Sequence, residues 1–484
     1  MILKNVLLKK YIYIIIACAI LLLTVFFPLS DNTLQAGNAM LTPLGRVSLG
    51  ILLFCLFMWI TEPIPFHITG MIGLILIALA KVDTFKGAVA IGFGNDTVVF
   101  FIGVLVLSAA MSASGLGQRI SMLVLSLTGN STSKILLGFL TIGTLLSMWV
   151  TDMAVAAILT PLALAILRKE RIEPLKSKFG KGLMIACAWG PIVGGIGTPA
   201  GAGPNQLAIG FLREMLGIEV SFLQWMIYGV PSALLLIVPS WVVLMLFFKP
   251  EVAQLSTSTE ELKRAYHDMP RISRNEVSTI IVFIITIILW ITSSSLGKYM
   301  GVAIPTSLPA LLGTCLLFLP GVTSFSWKQI NEEISWSGIL LIAAGITIGM
   351  EVFNTGAAAW ISNLLFGGIA QMQPVVMIFV LIIIISLLKV GLSSNTVTAT
   401  IIIPILIVMV QEFNLPVLGI LIPASLTLSL ALILVTSTPT SVIPYATGYF
   451  KISDMVKAGI VLTIVSALLM TATIYGIGLL TGIY

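Results

Sequence analysis

Charge is what this sequence has least of. Only 9% of its 484 residues are Asp, Glu, Lys or Arg, where a soluble domain carries about 25%. So few charges cannot cover the surface of a soluble protein of this length, which excludes that class. Histidine is scarcer still, with two in the chain, His67 and His267. His67 falls at an expected helix start and His267 in a charged loop, and neither has metal ligands or a nucleophile at a useful spacing. An enzyme is therefore not expected. The four cysteines (Cys18, Cys55, Cys187, Cys315) lie in apolar stretches without metal-ligand spacing and read as small core hydrophobes. No large soluble insert interrupts the chain.

What is present is apolar: 58% of residues are hydrophobic, enough for about ten spans of roughly 20 residues each. The lipid bilayer is the solvent that this composition implies. The net charge of +6 does not point to nucleic acid, because 14 of the 25 Lys and Arg fall in three short segments. Lys4, Lys9 and Lys10 precede the first span. Arg168, Lys169, Arg171, Lys176, Lys178 and Lys181 crowd one loop, and Lys249, Lys263, Arg264, Arg271 and Arg274 another. Basic loops face the cytoplasm, so all three segments are expected there. The first apolar run, 11–29, is long enough to span and reads as a retained helix rather than a cleaved signal.

Further spans are expected at 47–60, 68–80, 98–113 and 222–248, then at 277–292, 303–319, 336–352 and 455–480, with the polar stretch 249–276 dividing two halves. Each half also holds two interrupted segments. In the first half 135–167 is broken at Thr151-Asp152 and 183–211 by a run rich in Gly and Pro. In the second, 376–410 is broken at Ser393-Ser394-Asn395-Thr396 and 417–449 at Thr436-Ser437-Thr438-Pro439-Thr440. The halves are copies: Ser114-Gly115 answers Thr355-Gly356 with the glycines 241 positions apart, and Pro161 answers Pro404 at 243. Paired broken segments in inverted repeats mark the binding site of a transporter.

The chemistry follows from the breaks. In hydrocarbon, non-helical backbone survives only inside protein or around a wet cavity. The run from Gly194 to Gln206 holds five glycines and two prolines and cannot be one helix. Its carbonyls suit a cation, and helix N-termini suit an anion. Ser, Asn and Thr at the second tip offer hydroxyl, amide and backbone N–H groups to a carboxylate. Two ionisable residues lie within the apolar segments, Asp152 at the first tip and Lys389 shortly before the second. Such residues are read as functional, although a helix N-cap for Asp152 and a snorkelling lysine are the plainer accounts.

The stretches "WITEPIP" (59–65), "LSMWVTDMAVAAILTP" (146–161), "SSNTVTATIIIP" (393–404) and "GYFKISDMVKAG" (448–459) resemble the divalent anion/sodium symporter family. The resemblance implies an all-α polytopic fold of about 11 transmembrane helices plus two re-entrant hairpins in an inverted repeat. It implies a homodimer working as an elevator, in which a transport domain slides along a scaffold domain. Mapped onto this chain, 1–130 and 277–370 are scaffold helices, 131–248 and 371–484 the two halves of the transport domain, and 249–276 a cytoplasmic linker.

The family carries Ser-Asn-Thr at each hairpin tip, where those residues bind substrate carboxylates and, with the unwound loops, sodium. Carried over, Ser394, Asn395 and Thr396 match at the second tip, but Thr151, Asp152 and Met153 stand at the first. Gly201, Thr438 and Pro439 complete the expected substrate site. Ser147 matches a family sodium-site serine, whereas its counterpart Val390 has no oxygen. Thr198, Gly201, Pro204 and Asn205 fit the first unwound loop, with Ala202 and Gly203 replacing Thr and Pro. Ser437-Thr438-Pro439 fits the second, with Ser441 in place of Asn. The expected cation or cation-substitute positions are Ser147, Asp152, Thr198, Asn205, Lys389 and Ser437.

Val390 and Lys389 together suggest a tethered ammonium in place of one sodium. The expectation is then sodium-independent exchange of C4 and C5 dicarboxylates (succinate, malate, fumarate, 2-oxoglutarate). Sodium-coupled symport of a dicarboxylate or citrate by the same fold is the alternative, and a cation/proton antiporter using Asp152 a more distant one. Sodium is the one ion expected, with no cofactor. The N-terminus is expected in the cytoplasm and the C-terminus outside the cell membrane.

Overall fold

The computed structural model describes residues 2–28, 30–256, 259–392 and 394–483. The chain begins with α1 (Ile2–Phe26), a short α2 (Asp31–Leu34), an antiparallel pair β1 (Gln35–Ala36) and β2 (Ala39–Met40), then α3 (Pro43–Thr61), α4 (Phe66–Leu79), α5 (Phe85–Phe93), α6 (Asp96–Ser114) and α7 (Leu116–Thr128). A helical hairpin follows, α8 (Thr132–Ser147) and α9 (Asp152–Lys169), then a broken pair, α10 (Lys178–Gly195) and α11 (Gly203–Leu216), and the continuous α12 (Phe222–Phe247). A short α13 (Thr259–His267) lies in the polar linker.

The second half repeats this order with α14 (Arg274–Met300), α15 (Ser307–Leu317), α16 (Trp327–Glu332), α17 (Trp336–Asn354) and α18 (Ala357–Phe366). Its hairpin is α19 (Pro374–Gly391) and α20 (Asn395–Glu412), its broken pair α21 (Val417–Ser429) and α22 (Pro439–Tyr445), and α23 (Ile452–Thr481) closes it. Among the described residues nine helices are long and apolar enough to cross a membrane, two of them the arms α19 and α20. The other seven, with the shorter α4 and α15 and the broken pairs α10–α11 and α21–α22, make the eleven crossings expected beside two hairpins.

Local geometry carries the repeat further than the sequence offsets do. Gly115 turns the chain from α6 into α7 at φ 80°, ψ 1°, and Gly356 turns it from α17 into α18 at φ 79°, ψ 0°. Both sit in the left-handed region that only glycine enters cheaply. Pro161 lies inside α9 and Pro404 inside α20, the second arms of the two hairpins. Between the halves, α14 starts at a capping box, where Ser273 and Glu276 each accept from the other's backbone N–H.

Small residues bring the broken segments to the centre of the molecule. A Cβ on Gly143 would lie 2.7 Å from Pro191 Cδ, so α8 and α10 pack backbone to backbone. Two buried tryptophans satisfy carbonyls that the breaks release. Trp225 Nε1 on α12 donates to Ile196 O (3.0 Å), and Trp189 Nε1 on α10 to Leu432 O (3.2 Å). Removing either partner would leave a carbonyl unpaired where no water reaches it, at about 1–3 kcal/mol.

Candidate functional site

The unwound stretches end at one place. Thr151 and Asp152 open α9, Ala202 and Gly203 open α11, Ser394 and Asn395 open α20, and Thr438 and Pro439 open α22. All eight residues line a single cavity of about 770 Å³. Four helix N-termini, each the positive end of a helix dipole, thus converge on one space, which favours an anion there.

The two tips differ in what they leave free. At the second, Ser394 Oγ caps α20 by accepting from Val397 N (3.4 Å), and the amides of Asn395 and Thr396 have no intrahelical acceptor. Asn395 Nδ2 donates to Ser429 O (3.4 Å), while its Oδ1 is buried with no partner among the described residues. At the first tip the amides are consumed internally. Thr151 N donates to Ser108 Oγ (3.0 Å), Asp152 N to Gly201 O (3.2 Å) and Met153 N to Asp152 Oδ1 (2.8 Å). Asp152, the first residue of α9, thus accepts from the next amide of its own helix, and its carboxylate is also in reach of the Thr440 hydroxyl and in the field of Lys389.

Behind the cavity lies a layer of carbonyls from helix C-termini. Thr198 Oγ1 donates to Met148 O, and Asn205 Nδ2 to Gly195 O (2.8 Å) and Thr198 O (2.8 Å). Ser429 Oγ from the second half donates to Asn205 Oδ1 (2.8 Å). Ser147 is fully buried here and its Oγ has no partner among the described residues. A Cβ on Gly201 would sit 2.5 Å from Gly195 O and 2.7 Å from Ser147 O, so two carbonyls crowd the space over that glycine. The unpartnered Ser147 hydroxyl and the carbonyls that crowd Gly201 are hard oxygens of the kind a small cation takes, and these residue types fit a sodium ion.

At the corresponding end of α19 in the second half stands a buried lysine. Lys389 is 3% exposed and its Nζ donates to Thr427 O (3.0 Å) in the last turn of α21, where the dipole favours a cation. Ser437 Oγ donates to Lys389 O (3.4 Å). Val390, set opposite Ser147 by sequence offset, is 42% exposed and turned out of this layer. One residue on a helix is a rotation of about 100°, and Lys389 is the side chain that points in.

The sequence-derived positions therefore sort into two layers. Thr151, Asp152, Met153, Ser394, Asn395, Thr396, Ser437, Thr438 and Pro439 line the cavity. Ser147, Thr198, Gly201, Asn205 and Lys389 lie behind it, buried. Ser393 lies outside the described residues. The opposite wall was not anticipated: Glu62, Phe66 and His67 from the α3–α4 turn, Phe101 from α6, and Ser335 and Ser337 at the start of α17. Glu62 lies within the "WITEPIP" stretch and Phe66 and His67 follow it directly, but only folding brings them to the cavity of the tips. Thr440, Ser429 and Ser108 were likewise missed as partners.

A family profile described as the sodium:sulfate symporter transmembrane region matches residues 8–481. The chain is 29% identical over 447 residues to the sodium-dependent dicarboxylate transporter SdcS of Staphylococcus saprophyticus, covering 89% of this chain and 86% of that one. It is 28% identical to the SdcS of Staphylococcus aureus, over 89% of this chain and 85% of that one. Among solved structures it resembles the YdaH transporter of Alcanivorax borkumensis (TM-score 0.55, 13% identity, 82% of this chain and 88% of that one). It also resembles MtrF of Neisseria gonorrhoeae (TM-score 0.51, 15% identity, 83% and 84%). These two likenesses concern the fold alone.

Proposed function

Because this chain belongs to the sodium:sulfate symporter family, we propose that it is a multi-pass membrane carrier that moves C4 and C5 dicarboxylates such as succinate, driven by sodium. The observation that carries the reading is the convergence of four helix N-termini on one cavity, with the carbonyl layer around Ser147 directly behind it. The substrate carboxylate docks against Ser394, Asn395 and Thr396, with the Thr438 and Pro439 end of α22 beside it. Sodium sits against Ser147 Oγ and the carbonyls around Gly201, held in shape by Thr198 and Asn205. The Lys389 ammonium serves as a fixed cation where a second sodium would otherwise bind.

The larger movements belong to the same proposal. Residues 131–248 and 371–484 form the moving body and 1–130 and 277–370 the scaffold of a homodimer, so that the cavity wall made by Glu62, His67 and Ser335 is the surface against which the tips slide. The loop at 168–181 and the linker meet through the Lys169–Glu261 ion pair (2.8 Å) and through Ser177 Oγ to Glu251 (3.0 Å), which supports placing both on the cytoplasmic face. The N-terminus is then cytoplasmic and the C-terminus outside.

The names of the staphylococcal relatives favour sodium-driven transport over the exchange that Lys389 alone suggests. Exchange is retained as the second reading because the ammonium is built in and buried. Labelled succinate uptake into substrate-free proteoliposomes separates them. An inward sodium gradient is expected to drive accumulation. Uptake that ignores sodium and requires a dicarboxylate inside would overturn the sodium-driven reading in favour of exchange.

A further inference from the structure

The cavity that receives the substrate has a carboxylate in its own wall. Asp152 and Glu62 both line it, and among the described residues no lysine or arginine does. Lys389, whose field reaches Asp152, is directed instead to Thr427 O in the layer behind. At the first tip the amides of Thr151, Asp152 and Met153 are already bonded within the protein. That tip therefore offers a carboxylate and the Thr151 hydroxyl but no free amide, where a dianion with a carboxylate at each end is best met by several donors. The site is bipolar: donors at the α20 N-terminus, a carboxylate acceptor at Asp152.

Resting on the carboxylate-carrier reading, we propose that Asp152 makes the site select a carboxylate whose far end donates a hydrogen bond, rather than a fully ionised dianion. A hydrogen-dicarboxylate monoanion and an amino-dicarboxylate share that chemistry. One carboxylate docks at Ser394–Thr396, and the protonated carboxyl or ammonium at the other end docks on Asp152, with Thr440 alongside. Two carboxylates brought together in a buried site repel strongly, so the ionised dianion is the form that the first tip rejects.

The charged surroundings of Asp152 are few. Of the elements packed against α9, α8 carries Lys134, α7 carries Arg119 and α6 carries Asp96; α10 carries Lys178, Lys181 and Cys187, and α22 carries Tyr445. Lys134, Lys178 and Lys181 start helices whose other ends approach the tip. Lys389 is the charged side chain that acts on Asp152 electrostatically, while Glu62 and His67 share the cavity.

The test is sodium-driven uptake into proteoliposomes with equal pH inside and out, using succinate, succinamate (a permanent monoanion with an amide donor) and L-aspartate. For the natural sequence, the succinate concentration at half-maximal uptake should fall at least about tenfold between about pH 7.5 and about pH 5.5, as the monoanion accumulates. Succinamate should outcompete succinate at the higher pH. The pH dependence should persist in His67→Gln, which changes another polar residue of the cavity wall. Asp152→Asn should abolish it and restore uptake of the dianion, and Asp152→Ser gives the same test should the amide disturb the tip. Aspartate transported at the higher pH identifies the ammonium form, and succinate transported only at the lower pH the protonated form. The inference is overturned if the natural sequence takes up dianion equally at both pH values and Asp152→Asn merely weakens uptake, which would mean that Lys389 neutralises Asp152 for a dianion. If neither folded protein moves any carboxylate at either pH, the carrier reading fails, and the inference with it.

Discussion

Replacing Gly201 by alanine inserts one methyl group into the carbonyl layer where sodium is proposed to bind. The new Cβ would lie 2.5 Å from Gly195 O and 2.7 Å from Ser147 O, both backbone atoms and both inside the 3.0 Å that real Cβ contacts respect. Backbone cannot swing aside as a flexible side chain can, so the two carbonyls must part. Overpacking of this kind costs about 1–3 kcal/mol. If that strain falls on the cation site, the sodium concentration giving half-maximal uptake rises between about fivefold and about a hundredfold, at about 1.4 kcal/mol per factor of ten. The measurement is initial succinate uptake against sodium concentration, with monodispersity in detergent confirming a folded protein. Succinate binding at saturating sodium should change far less. An unchanged sodium dependence in a folded Gly201→Ala protein would refute the placement of the cation beside this glycine.

Asn205→Ala strips partners from Gly195 O, Thr198 O and Ser429 Oγ at once. The expected loss is about 3 kcal/mol of stability together with sodium-dependent uptake, read by thermal unfolding and by transport. Glu251 offers a pH prediction away from the membrane. Partial burial works to raise its pKa, but bonds from the Lys178 and Phe179 amides and the Ser177 hydroxyl outweigh that and hold it below the ordinary 4.5. A depressed carboxyl stabilises above its unfolded value and loses that contribution as the pH falls through its folded one. The melting temperature should therefore fall below about pH 4.5, and Glu251→Gln should lower it at neutral pH while weakening its dependence on acid.

The parts of this fold that were legible in the sequence are those written in single residue types. Apolar length gave the long spans, and small polar residues in an apolar setting, with Gly and Pro at 194–206, located the breaks. Ser114-Gly115 and Thr355-Gly356 marked the repeat, because only glycine turns cheaply at φ near 80°. What escaped depends on direction in space. Val390 and Lys389 are adjacent in sequence but roughly 100° apart around a helix, and an offset count cannot tell which one faces the core. The short helices α5, α7, α16 and α18 were missed because runs of this length bury too little to leave a span-like signature. The Glu62–His67 wall was hidden for another reason: its contact with the tips joins elements about ninety to nearly four hundred residues apart.

The central claim is that one cation site survives while a lysine fills the other. Counting sodium ions per dicarboxylate tests it most directly, by measuring the two fluxes together in proteoliposomes held at a series of sodium gradients. The account predicts one sodium for each substrate in the natural sequence. None, with transport sustained by internal dicarboxylate, would contradict it in favour of exchange. Two or more would show that Lys389 does not stand in for a cation.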